Sequence, residues 1–148
     1  MKTTRMNTLA RNLFLGILTT MMILPFTSSA KKIPFLTSTI APAARGYVKV
    51  KKDKNKNYVI QVHISYLAEI TRIQPTKQTY VVWMVTDRDI TKNIGRIKSS
   101  KNASNNLTGY FETVSSFQPT KIFITAEVDE SVQEPCEQVV LATDRFWE

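Results

Sequence analysis

The sequence is poor in the residues on which small exported domains and metalloproteins commonly rely. Its 148 residues include one cysteine, one histidine and four glycines. A single cysteine, Cys136, forms no intrachain disulfide, so stability has to come from a packed core. The EPCEQ segment around it offers no cation to lower the thiol pKa, and Cys136 reads as a plain, unreactive side chain. A blue-copper centre needs two imidazoles and a thiolate, whereas His63 is alone. Structural zinc fails on the same count, because Cys136 and His63 are the only soft ligands and no paired spacing accompanies them. There is no G-x-S-x-G elbow to mark a nucleophilic serine. No metal or other cofactor is therefore expected.

The first 30 residues contain no acid. Residues 1–12 carry Lys2, Arg5 and Arg11, residues 13–26 (LFLGILTTMMILPF) are largely apolar, and Thr27-Ser28-Ser29-Ala30 put small residues before Lys31. This is the layout of a secretory signal peptide over 1–30, cleaved near Ala30. The apolar run falls short of the roughly 20 residues of a spanning helix, so no stable membrane span is expected after cleavage. It also lacks a cysteine to take a lipid. The expected product is soluble and periplasmic or extracellular, with 118 residues, 17 of them basic and 12 acidic, for a net charge of +5. That length suits one domain and excludes a 250-residue catalytic fold.

Charge is unevenly placed. Residues 31–56 hold Lys31, Lys32, Arg45, Lys49, Lys51, Lys52, Lys54 and Lys56 against Asp53, whereas residues 122–148 hold seven acids and Arg145. The basic run suits anionic lipid or polysaccharide, and export argues against nucleic acid. Asp129, Glu130, Glu134 and Glu137 form an acidic segment whose spacing matches no EF-hand loop, and it reads chiefly as a solvated loop.

Residues 31–45 hold two of the six prolines and no regular period, giving an extended lead-in from which Phe35, Leu36 and Ile40 are available to pack. From residue 46 to 148 the pattern is that of a β-sandwich domain. Seven strands are expected, at 46–51, 58–66, 79–85, 94–98, 109–114, 121–128 and 138–143. The second alternates most clearly: Tyr58, Ile60, Val62, Ile64 and Tyr66 share one face, and Val59, Gln61, His63 and Ser65 the other. The third, TYVVWMV, is apolar on both faces and reads as central. Trp83 within it is expected to anchor the core, its indole N–H bonded to an acceptor. Residues 67–78 suit a short helical turn or a crossing loop, ended by Pro75. Residues 99–108 read as an exposed hairpin loop, and they contain two N-x-[S/T] triplets, at Asn102 and Asn106. The expected fold is an all-β, seven-stranded antiparallel sandwich, immunoglobulin-like in general architecture. A closed barrel is its main rival.

Tyr80-Val81-Val82-Trp83-Met84-Val85, Asn93-Ile94-Gly95-Arg96-Ile97, Gly109-Tyr110-Phe111 and Ile122-Phe123-Ile124-Thr125-Ala126-Glu127, with Pro135 and Val139 following, together resemble the C-terminal extracytoplasmic domain of anti-sigma-K factors. The resemblance covers residues 46–143. It implies a small β-sandwich with a sensory or interaction role outside the cytoplasmic membrane. Only twelve residues precede the apolar run, so the sigma-binding domain of that architecture is missing and the fold is expected to carry over without sigma inhibition.

The leading expectation is an exported, non-enzymatic domain that binds an envelope protein or polymer and is monomeric or weakly oligomeric. Lys49, Lys51, Lys52, Lys54, Lys56, Phe146 and Trp147 are its candidate interaction residues. One alternative is a small hydrolase or metal enzyme that brings His63 together with Glu127, Asp129, Glu130, Glu134 or Glu137. Another is a structural protein that self-associates through sheet edges and opposed charge.

Overall fold

A computed structural model describes residues 29–73 and 76–147. The expected signal peptide falls outside the described residues, apart from Ser29 and Ala30. In chain order the elements are β1 (Lys31–Pro34), β2 (Arg45–Lys52), β3 (Tyr58–Ser65), the single helical turn α1 (Ile70–Ile73), β4 (Thr79–Thr86), β5 (Thr91–Arg96), β6 (Lys98–Lys101), β7 (Leu107–Ser115), β8 (Pro119–Glu127) and β9 (Val139–Ala142). They form two packed antiparallel sheets, of order β1-β2-β3-β7-β6 and β5-β4-β8-β9.

The nine described strands include all seven expected positions. One addition lies in the lead-in, where Lys31–Pro34 hydrogen-bonds to β2 in the register Lys31↔Val50 to Pro34↔Tyr47. The other arises because the strand expected at 94–98 divides. β5 pairs with β4, β6 pairs with β7, and the chain passes between the sheets at Ile97, whose side chain is buried and whose N–H bonds to Tyr80 O. Gly95, at φ 131°, supplies the backbone conformation just before this corner.

Alternation fills the space between the sheets. Val48 and Val50 from β2, Ile60, Val62 and Ile64 from β3, and Phe111 from β7 meet Val82 and Met84 from β4 and Ile122 and Ile124 from β8. The strands of the five-stranded sheet turn their other residues to solvent. β4 and β8 instead have a second apolar face, with Val81, Trp83, Val85 and Phe123 in a separate cluster packed by Val132 and Ala142. Trp83 is 0% exposed, as expected of an anchor, but it sits on the outer side of its sheet beneath the 128–138 loop.

Candidate binding face

The outer face of the five-stranded sheet is built by the polar half of each alternating strand. β2 presents Tyr47, Lys49 and Lys51, β3 presents Val59, Gln61 and His63, and β7 presents Tyr110, Glu112 and Val114. Directly opposed residues of an antiparallel ladder share a face. The register Pro34↔Tyr47↔His63↔Tyr110↔Lys98 is therefore one row across all five strands.

Three rings occupy the middle of that row. Tyr47 stacks on His63 with centroids 5.1 Å apart and planes at 26°, and Tyr110 meets His63 edge-on at 5.0 Å and 61°. At the spacing of adjacent strands these rings extend about 10 Å. Lys32 Nζ stands 3.9 Å from the Tyr47 centroid and Lys49 Nζ 5.8 Å from it, within cation–π range. Beside the rings lies an open depression of about 480 Å³, lined by Arg45, Tyr47, His63, Ser65, Thr108 and Tyr110 among others. Its floor depends on close strand approach: a Cβ added to Gly46 would lie 2.2 Å from the backbone oxygen of His63.

Cations predominate on this face. Lys32 and Lys49 stand at the Tyr47 ring, Lys98 is paired in register with Tyr110 and Lys51 lies farther along β2, while Glu112 is engaged within the face. Gln61 Nε2 donates to Glu112 Oε2 at 2.8 Å, and the Tyr110 hydroxyl donates to the same oxygen. Those two hydrogen bonds, Tyr110 foremost, hold the Glu112 pKa below its ordinary value, and the bond to Glu112 raises that of Tyr110. His63 is pushed below 6.5 by partial burial first and by Lys49 and Lys32 next, with Glu112 acting the other way. It is thus neutral at pH 7, which keeps its ring a good stacking partner for both tyrosines.

The other sheet's outer face is closed and internally bonded. Trp83 Nε1–H donates to Thr125 Oγ1 at 2.8 Å, the Thr125 hydroxyl donates to Glu127 Oε1 at 2.6 Å, and the Cys136 backbone N–H donates to that same carboxylate oxygen at 2.8 Å. Lys77 Nζ stands 3.8 Å from Glu127 Oε2. Burial opposes ionisation of Glu127, but the hydrogen bonds from Cys136 and Thr125, with Lys77, outweigh it and bring the pKa below 4.5. Asn93 Nδ2 donates to Glu130 O and Val132 O, pinning the loop's other half. The Cys136 thiol lies against Ala126 O, and its pKa is raised by burial and then by Glu127.

The residues singled out from sequence scatter over the domain. Lys49 and Lys51 lie on the basic face, Lys54 and Lys56 in the β2–β3 turn, and Lys52 at the strand end with Nζ 5.3 Å from the Tyr58 ring. Phe146 is buried in the core, and Trp147 is half-buried against Tyr58 at 5.8 Å. Sequence reasoning placed Lys32 in the basic run but not at a site, and did not mark Tyr47, Tyr110 or Lys98 as binding residues, because only the cross-strand register joins them to His63. Their one signal within the chain was the polar phase of β2, where Tyr47 alternates with Val48 and Val50.

The groups of the enzymatic alternative do not converge. His63 lies on one outer face, whereas Glu127 lies on the opposite one, Glu130 pairs with Arg96 at 2.7 Å and Asp129 accepts from Ser131. Among the described residues no group of three or more His, Cys, Asp and Glu side chains is placed to hold a metal ion. No helix among them is long and apolar enough to cross a membrane. Asn102 Oδ1 accepts from the N–H groups of Ser104 and Asn106, which shapes the β6–β7 turn carrying both N-x-[S/T] triplets. Comparison of the chain with protein-family models, curated proteins and solved structures gives no match.

Proposed function

We propose that this chain is an exported, non-enzymatic β-sandwich module that binds an acidic polysaccharide of the cell envelope on the outer face of its five-stranded sheet. The observation that carries this reading is the row Tyr47–His63–Tyr110 with Lys32 and Lys49 above its first ring. Packed against one another, the three rings form a fixed apolar ridge against which the C–H groups of a sugar chain can lie. The lysines beside them pair with carboxylate or sulfate groups along the polymer, and a sheet face that no other element covers admits a long chain without enclosing it.

The strand order supports an immunoglobulin-like plan. β2-β3-β7-β6 and β4-β8-β9 correspond to strands A-B-E-D and C-F-G of a constant-type domain, with β1 and β5 as added edges. That plan is in keeping with the extracytoplasmic interaction role implied by the likeness to anti-sigma-K factor domains, and the export step rests on the signal-peptide layout of residues 1–30.

The test is affinity electrophoresis of the protein through gels containing a polyuronate or, separately, a neutral glucan. Selective retardation by the polyuronate is expected, weakening at least tenfold in Tyr47→Ala/Tyr110→Ala and falling with added salt. Equal retardation by the neutral glucan, or a double variant that binds as the parent does, sinks the proposal.

A further inference from the structure

The two ends of the sandwich differ in how they use their charges and apolar side chains. At the end holding the β2–β3, β4–β5 and β7–β8 connections, Ile90 is 49% exposed and Phe117 is 42% exposed. The backbone brings these connections together: Asp87 N–H donates to Gln118 O at 3.0 Å, and the Tyr58 hydroxyl donates to Gln118 Oε1 at 3.1 Å. Thr86 Oγ1 accepts from the N–H of Arg88 and of Ile90, which fixes the β4–β5 turn with Ile90 at its surface. Lys92 Nζ stands 4.5 Å from the Phe117 ring centroid. Lys54 and Lys56 extend from the adjoining β2–β3 turn, whose Asp53 is committed to the N–H groups of Asn55 and Asn57. Asp89 is paired with Arg145, leaving Asp87 and Asp144 as the other carboxylates of this end.

Exposed apolar side chains occur at the opposite end as well, at Tyr66 and Val128. There acids offset the cations: Arg72 and Lys101 share Glu69, Lys77 pairs with Glu127 and Arg96 with Glu130, and Asp129, Glu134 and Glu137 lie in the adjoining 128–138 loop. Exposed apolar tips among cations in excess are thus a property of one end only. Lys31 pairs with Val50, so the chain also enters the domain at that same end.

We propose that this end docks on the surface of an anionic lipid bilayer, with Phe117 and Ile90 entering the headgroup boundary and Lys54, Lys56, Arg88 and Lys92 holding lipid phosphates. Buried apolar area and electrostatic attraction add in such binding, and each lysine near an anionic surface contributes about a factor of five. The sheet face remains free in this orientation, so docking and polymer binding are separate.

The test uses the mature chain from Lys31 with Cys136→Ser and one labelled cysteine, from Phe117→Cys or from Val128→Cys at the opposite end, each carrying an environment-sensitive fluorophore. On vesicles containing one-third phosphatidylglycerol, the label at position 117 shifts to shorter wavelength and the label at 128 does not. Lys54→Gln/Lys56→Gln weakens this partition roughly 30-fold, and pure phosphatidylcholine vesicles give little shift at 117. Equal shifts at both labels, equal shifts on neutral vesicles, or an unaffected lysine variant each overturn the proposal. Tyr47→Ala/Tyr110→Ala leaves the shift unchanged, so failure here and failure of polysaccharide binding are distinguishable.

Discussion

The two outer faces of this sandwich were made from similar strands and finished in opposite ways. On the five-stranded sheet, β2, β3 and β7 alternate strictly, and the solvent side gathers rings and lysines. On the four-stranded sheet, β4 and β8 are apolar on both sides, and the 128–138 loop folds over Trp83 and Phe123 to exclude water. A sheet face left bare must carry groups that tolerate water, and those groups are then available to a ligand. A covered face spends its polar groups on holding the cover: Thr125 and Glu127 are committed to Trp83 and Cys136.

The sharpest way to break this contrast is to truncate one aromatic on each face. Trp83→Ala removes a fully buried indole and leaves Thr125 without its donor, and is expected to cost about 3–5 kcal/mol in urea unfolding. Tyr110→Ala on the bare face is expected to stay within about 1 kcal/mol. Comparable losses for the two would mean that the bare face is as structural as the covered one.

A middle-sized effect is expected from Glu127→Ala, which strands the Cys136 N–H and the Thr125 hydroxyl, at about 2–3 kcal/mol. The acid limb separates this carboxylate from mere packing. With its folded pKa below the ordinary 4.5, the contribution of Glu127 is fully present above pH 4.5 and is lost as pH falls through the folded value. Stability of the parent protein therefore declines below pH 4.5 more steeply than that of the variant. Parallel acid limbs would show that the ionised carboxylate does not hold the loop.

The smallest effect concerns His63. Its folded pKa lies below 6.5, so its contribution is complete above pH 6.5 and is lost as pH falls from there through the folded value. His63→Phe keeps a ring in the row and is expected to flatten the stability profile over that window. A profile unchanged in slope would mean that neither burial nor Lys49 and Lys32 act on the imidazole.

Much of the contrast was legible in the sequence. The strict period of 58–65 announced a half-exposed strand, and the doubly apolar TYVVWMV announced a strand covered on both sides; the need of Trp83 for an acceptor followed from its burial. Which element covers it did not follow, because the 128–138 loop is polar and its ties are to residues distant in sequence or to backbone groups: Val132 on the apolar cluster, Asn93 and Arg96 on its first half, and Glu127 on the Cys136 N–H. The candidate binding face was half legible. Lys49 and Lys51 were visible as a basic run, but a run is one-dimensional, and the row that crosses them perpendicular to the chain exists only through register. The segment KSSK at 98–101 has no apolar phase to mark it in the sequence, and it is the hydrogen bonding of its backbone to β7 that makes it a strand. Phe146 and Trp147 stood side by side in sequence, yet one points into the core and the other lies across Tyr58.

The contact of Lys31 Nζ with the Trp147 ring, 5.4 Å from its centroid, has a mechanical consequence. The first strand and the last described residues leave the domain as neighbours, so tension applied between them pulls in opposite directions from one end. Such a load opens β1 from β2 bond by bond, as a zip opens, instead of shearing the whole ladder at once. A domain built this way makes a weak link in series but a good pendant, able to hang from an attachment on one side while its broad sheet stays unloaded.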